Sequence, residues 1–252
     1  MTRFVEWCVE TESAVAAHKL HRLDAQSPKI PQAVKIVADA LPSFYVVPSR
    51  LAGLLAKLGK PAASDYLNTK LPMTKAIRSG DLGEILCNAY VLESTHFKRG
   101  IKRLRWKDHR EMSMRGEDVL AFRLDAKGGL HILKAEVKSR ASMTSSVIGE
   151  ARAALSYNNE LPSPHAISFV ADRLGEACDV DLRDALDKAQ LIGGLKHSQV
   201  THMLFTFSGG NPSNLLTVNL NGYKGIVRQQ YVALTVNKHQ EFIRSVFEMV
   251  SK

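Results

Sequence analysis

The chain has 252 residues, with 34 Lys and Arg against 25 Asp and Glu and a net charge of +9. Its apolar fraction of 45% and charged fraction of 23% are ordinary globular values, which excludes wholesale disorder and fibrous repeats. No apolar run approaches the ~20 residues of a membrane-spanning helix, and the acidic Glu6 stands where a signal peptide needs its apolar stretch. A cytoplasmic location without a membrane partner is therefore expected. Three scattered cysteines, Cys8, Cys87 and Cys178, fit a reducing compartment and argue against a disulfide framework or a Cys-rich zinc site. The histidines show no metal-ligand spacing, and Ser208-Gly-Gly-Asn lacks the Gly-Lys-Ser/Thr of a phosphate-binding loop.

Residues 1–70 read as a mainly helical elaboration after a short extended start. Residues 12–24 are rich in helix formers. Pro31 suits the first turn of a second helix carrying Val34, Ile36, Val37, Ala40 and Leu41. A third begins at Pro48 or Ser49, spaces Leu51, Leu54, Leu55 and Leu58 helically, and ends at Gly59. Residues 71–252 read as an α/β core packed under this elaboration, the whole forming one domain. A helix over 81–94, capped by Ser79 or Asp81, carries Leu82, Ile85, Leu86 and Tyr90. Strands follow at 101–107, 118–125 and 130–138, the last two joined by a turn at 126–129. Helices are predicted over 142–157, from Ser163-Pro164 onward, and over 181–190. Residues 200–207 read as a buried strand, with further strands near 215–219 and 229–236 and a final helix over 238–250.

The positive charge is concentrated. Between His96 and Arg110 stand Lys98, Arg99, Lys102, Arg103, Arg105, Lys107 and Arg110 against the single acid Asp108, so this window holds +6 of the net charge. Two readings are open: a solvated edge strand protected by its charges, or a strip that contacts phosphates, with Trp106 or Phe97 available to stack on bases.

The chemistry lies just downstream, in Arg115-Gly-Glu-Asp118 and Ala135-Glu136-Val-Lys138. Residues two apart on a strand share a face, so Glu136 and Lys138 stand side by side. A turn at 126–129 sets Asp118 opposite Val137, on the wrong face for Glu136. A joint site therefore needs a bulge or a one-residue register shift, or Glu117 in place of Asp118. Two carboxylates suit Mg²⁺ or Mn²⁺. Such an ion generates hydroxide and neutralises a scissile phosphate, while a Lys beside it stabilises the charge that develops. Metal-assisted phosphodiester hydrolysis is the reaction class that this set suits best.

An acid followed one hairpin later by Glu-Val-Lys resembles the PD-(D/E)xK nuclease superfamily. The resemblance implies an αβββαβ core, with a further metal-binding Glu on the preceding helix. That residue is Glu84 in Gly80-Asp-Leu-Gly-Glu84, and Glu117 stands where the superfamily name has Pro. These motifs, with Lys134-Ala-Glu-Val-Lys-Ser139, are similar more narrowly to the HamA-like nuclease subunit of Hachiman anti-phage defence systems. This second resemblance implies a deoxyribonuclease restrained by a helicase subunit (HamB-like) in a heterodimer. Asp118, Glu136 and Glu84 would then hold the metal and Lys138 would assist catalysis. DNA would lie along Lys98, Arg99, Lys102, Arg103, Arg105 and Lys107, and against Arg152 and Tyr157 on the helix after the Glu-Val-Lys strand. Two rivals use the same residues. One is an inactive nuclease-fold module that binds nucleic acid and docks a helicase; the other is an RNase or branched-DNA resolvase. The bland readings make Asp81 an N-cap, Ser139 the last polar residue of its strand, and His202 a satisfied core histidine.

Overall fold

The computed structural model describes residues 2–176 and 179–251, so Cys178 lies outside it. The chain opens with a hairpin, β1 (Cys8–Val15) and β2 (His18–Ala25). This corrects the helix predicted over 12–24. Two tertiary features override the helix-forming composition. Strand β2 is seated in parallel on a later strand, with Leu20 and Leu23 buried, and opposite charges pair across the hairpin, as between Lys19 and Glu12 at 2.6 Å. The turn gives no sequence cue, because its left-handed residue is Ala16 (φ 52°) rather than Gly or Asn.

Helices α1 (Ile30–Ala40), α2 (Pro42–Tyr45) and α3 (Pro48–Lys70) follow. Gly59 does interrupt α3, with φ 82° and ψ 174°, but the chain re-enters a helix at Pro61. Helix α4 (Lys75–Ser94) begins six residues before Asp81, so Asp81 is an interior residue and not an N-cap. The next segment is also corrected. In place of a strand over 101–107 stand the two-residue β3 (Arg99–Gly100) and a 3₁₀ turn at Arg103–Trp106. Its basic side chains bond to several different elements, which a flat two-faced strand would not allow.

Strands β4 (Val119–Leu124) and β5 (Leu130–Arg140) form the expected hairpin. Then come α5 (Ser145–Ser156), α6 (Pro164–Glu176), α7 (Val180–Lys188), β6 (Val200–Ser208), α8 (Ser213–Asn221), β7 (Arg228–Thr235) and α9 (His239–Val250). Helix α8 replaces the strand predicted at 215–219. Its Leu216 and Leu220 are buried at an i, i+4 spacing, a helical period that a five-residue apolar run does not reveal.

The seven strands make one mixed sheet in the order β1-β2-β7-β6-β5-β4-β3, parallel through β2, β7, β6 and β5 and antiparallel at both ends. Helices cover both faces. One face, with Leu133, Ala135, Phe205 and Leu234, packs on α1, α4 and α9. The other packs on α5 and α8 through Leu204 and Tyr231, and on α6 and α7 through Phe122 and Ile132. Among the described residues no single helix is long and apolar enough to cross a membrane.

Two local details place the site. First, the Asp125 carboxylate accepts bonds from the backbone N–H of Lys127 and Gly129, which closes the β4–β5 turn across Asp125–Gly129. Val119 therefore pairs with Ala135 and Leu124 with Leu130. The register is one residue off that of a turn at 126–129, and continued by one step it sets Asp118 opposite Glu136. Second, α4 crosses β5 at Gly83, where an added Cβ would lie 3.0 Å from Val137 Cγ1 and 3.2 Å from Ser139 Cβ. A larger residue there must push the helix off the strand. Gly83→Leu should cost about 1–3 kcal/mol in urea unfolding; an unchanged midpoint would show that the close approach is not needed.

Candidate active site

Beyond the Val119–Ala135 pair β4 ends, and β5 runs on to Arg140 paired only with β6 on its other side. The first unpaired amide, Val137 N–H, donates to Asp118 Oδ2 at 2.8 Å. Asp118 thus closes the ladder with its side chain and stands beside Glu136. On β5 itself, Lys138 Nζ donates to Glu136 Oε1 at 3.0 Å. Glu84 arrives from α4, directly after the close approach at Gly83. A single guanidinium joins the acids: Arg103 Nε and Nη2 meet the two oxygens of Glu84 at 2.9 Å each, and Nη2 also reaches Asp118 Oδ1 at 3.1 Å. The third nitrogen of Arg103, Nη1, donates to Arg115 O at 3.3 Å.

Three carboxylates thus share two cationic partners in a poorly hydrated place. Burial lifts Glu84 and Glu136 from the usual carboxylate range to about 7, the Asp118 charge adding to both while Arg103 opposes it. Asp118 is raised as well, again chiefly by burial. Glu117 takes no part. Its carboxylate accepts from Ser163 N at 2.6 Å and Ser163 Oγ at 3.0 Å, at the start of α6, which leaves Asp118 as the acid of the cluster.

The basic segment behaves differently from either expectation, because its side chains turn inward. Arg99 pairs with Asp179. Lys102 donates to Ser43 Oγ at 2.7 Å, lies over the Phe44 ring, and is lowered to about 8 by burial. Arg105 donates twice to Ser43 O. Lys107 meets both oxygens of buried Asp81 at 2.9 and 2.8 Å, and Tyr45 OH completes that acid's partners at 2.8 Å. Arg110 reaches Asn68 O, and the exposed Lys98 bonds to carbonyls at the end of α4. As placed, the strip fastens the loop before β4 to α2, α3 and α4. Phe97 lies under Arg123, and Trp106 stands edge-on to Phe169.

Arg152 is also engaged, with His202 Nδ1 at 3.0 Å, with Gln229 and over the Tyr223 ring. Tyr157 is exposed. Ser139 is buried and bonded to Ser79 and His239 at 2.8 and 3.0 Å, a tie between β5, α4 and α9. Lys134 donates to the carbonyls of Leu155, Tyr157 and Leu161 and so anchors the end of α5. His202 is a bonded core residue held neutral, lowered to about 4 by burial.

A cavity of about 370 Å³ opens onto the cluster, lined by Glu84, Arg103 and Asp118 together with Trp106, Phe169 and Arg173. The donor set is oxygen-rich and acidic, which suits a hard divalent cation. Among the described residues, however, no three acidic, His or Cys side chains stand together as a ready metal cage; Arg103 lies between Glu84 and Asp118. The residues fit such an ion in chemistry, in an arrangement now held by a guanidinium. Sequence reading missed this role for Arg103, along with the Asp81–Lys107–Tyr45 trio. The only signal for either was the density of cations near the motif.

Fold and cluster together define a mixed α/β protein with a carboxylate–lysine site where a β-hairpin ends, facing a partly aromatic cavity. The chain belongs to the HamA family, which it matches over residues 2–250. It is 22% identical over 251 residues to the Hachiman protein HamA of Bacillus cereus, covering 97% of this chain and 89% of that protein.

The raised pKa of Glu136 has a measurable sign. A carboxyl lifted in the folded state lends stability while protonated, and that contribution is lost as pH rises from about 4.5 through about 7. Glu136→Gln keeps the neutral form at every pH. It should match the parent near pH 5 and exceed it at pH 8 by roughly 1–3 kcal/mol in urea unfolding. A variant less stable than the parent at pH 8 would show that the Lys138 pair outweighs desolvation.

Proposed function

We propose that this chain is a metal-dependent deoxyribonuclease of the PD-(D/E)xK type, the nuclease subunit of a Hachiman anti-phage defence system, acting in a heterodimer with a helicase subunit. The observation that carries this reading is the clustering of Glu84, Asp118, Glu136 and Lys138, with Glu84 and Asp118 lining a cavity, in a chain of the HamA family. The order helix, three antiparallel strands, helix, parallel strand, run by α4, β3 to β5, α5 and β6, supports the superfamily assignment.

Glu84, Asp118 and Glu136 would hold Mg²⁺ or Mn²⁺. The ion, when bound, supplies the hydroxide nucleophile and offsets charge on the phosphate. The protein's own groups have separate duties. The Val137 N–H fixes the Asp118 carboxylate, and Gly83 lets Glu84 approach it. Lys138, its ammonium held against Glu136 at 3.0 Å, is placed to donate to a phosphate oxygen or to orient water. Trp106, Phe169 and Arg173 line the cavity, with the Arg173 guanidinium lying over both rings.

One observation favours a second reading. Arg103 already neutralises Glu84 and Asp118, as it would in a non-catalytic module that only binds nucleic acid and docks a helicase. Plasmid nicking in Mg²⁺ separates the two. The purified parent should nick, and the double variant Glu136→Ala, Lys138→Ala should be slower by at least about 100-fold with an unchanged circular dichroism spectrum. A parent that never nicks supports the module; a double variant that degrades DNA fully defeats the assignment of these residues.

A further inference from the structure

Arg103 stands in the sequence as one cation among seven, and its expected role was contact with phosphate. The structure gives it another. Its guanidinium is the only group that touches both Glu84 and Asp118 among the described residues, and every nitrogen of its fork is used: Nε and Nη2 on Glu84, Nη2 again on Asp118, and Nη1 on Arg115 O. The side chain is only 11% exposed. Four of its five N–H donors are thus engaged, and only one, on Nη1, is left for a phosphate while these bonds stand.

We propose that Arg103 is an internal counter-ion that occupies the divalent-metal position, so that metal binds only after the Arg103 guanidinium has been withdrawn. This rests on the reading that the three carboxylates form a metal site. The geometry makes the two occupants exclusive. Glu84 Oε1 and Asp118 Oδ1 both accept from the same Nη2, at 2.9 and 3.1 Å. A Mg²⁺ ion takes its oxygen ligands at about 2.0–2.1 Å. Two oxygens drawn in to that radius leave no room between them for a guanidinium, and a second cation there would be repelled by the first.

The segment that carries Arg103 is pinned by its side chains, so Arg103 leaves the acids either by swinging its own side chain away or by breaking these ties. It contains a 3₁₀ turn and no strand beyond Gly100, and polar ties fasten it to the helices of the N-terminal region. Lys102 and Arg105 hold Ser43, Lys107 holds Asp81, and Arg110 holds Asn68 O. Glu111 accepts from Thr74 N at 3.1 Å. Drawing this loop outward withdraws Arg103 from Glu84 and Asp118 together.

The test reads metal and not cleavage. Mn²⁺ is titrated into the purified full chain without DNA, with free Mn²⁺ followed by electron paramagnetic resonance, for the parent, Arg103→Gln and Arg103→Lys. Arg103→Gln should bind Mn²⁺ at least about tenfold more tightly than the parent, Arg103→Lys should stay near the parent, and adding Glu84→Gln to Arg103→Gln should abolish the gain. Equal or weaker Mn²⁺ binding by Arg103→Gln overturns the inference while leaving the metal site itself in place. No saturable Mn²⁺ in any protein overturns both. Because Arg103→Gln leaves two half-buried carboxylates, Glu84 and Asp118, short of a partner and could fail to fold, a second measurement uses the parent. With ¹⁵N-labelled arginine, the Arg103 Nε–H resonance should move toward that of a solvated guanidinium as Mg²⁺ is added. A resonance that stays in place while Mg²⁺ saturates the site also overturns the inference.

Discussion

The arrangement around the site follows from one electrostatic constraint. Glu84, Asp118 and Glu136 carry three potential negative charges, and Arg103 and Lys138 supply two positive ones. Fully ionised, the cluster keeps an uncompensated negative charge in a place that water barely reaches. The protein relieves this by letting Glu84 and Glu136 titrate near neutrality and by giving the remaining oxygens fixed donors. Asp118 has the Val137 amide, and Glu84 has Nε and Nη2 of Arg103. Such a cluster is tolerated only while each member keeps its partner, since a stranded buried charge costs several kcal/mol.

The same logic runs one layer outward. Asp81, on the helix that carries Glu84, is buried with Lys107, each side chain 5% exposed, and Tyr45 completes its coordination. That pair and the bonds to Ser43 fix the loop that delivers Arg103. The unusual density of Lys and Arg before β4 is thus consumed largely inside the molecule, and the net charge of +9 says less about a polyanion surface than its location in the sequence suggests. Position along the chain locates charge; only the fold decides whether it faces water.

Much of the core was legible because its signals are long and periodic. Helices α1 and α9, the buried strand β6, and the β4–β5 hairpin each carry an apolar pattern that survives in isolation. The β1–β2 hairpin was not, since Glu, Ala, Leu and Lys favour a helix and only the neighbouring β7 makes them extended. At the site, Glu84, Asp118, Glu136 and Lys138 could be named from motif and spacing. Whether Asp118 could face Glu136 depended on a turn whose closing residue, Asp125, shifts the register by one. Arg103 was readable only as charge, because its acids lie 19 residues upstream and 15 downstream, with no local pattern linking them.

The two edges of the sheet have a consequence for assembly. One edge is β1, whose middle six residues are solvent-facing and include Glu10 and Glu12; the other is β3, only two residues long. Neither offers a long, neutral row of free amides and carbonyls, which is how sheets avoid unwanted pairing. A companion strand would meet the charged side chains of Glu10 and Glu12 on β1 and only two residues of ladder on β3. Side chains on the helices and loops offer shape and charge that discriminate between partners far better than a generic ladder of main-chain bonds.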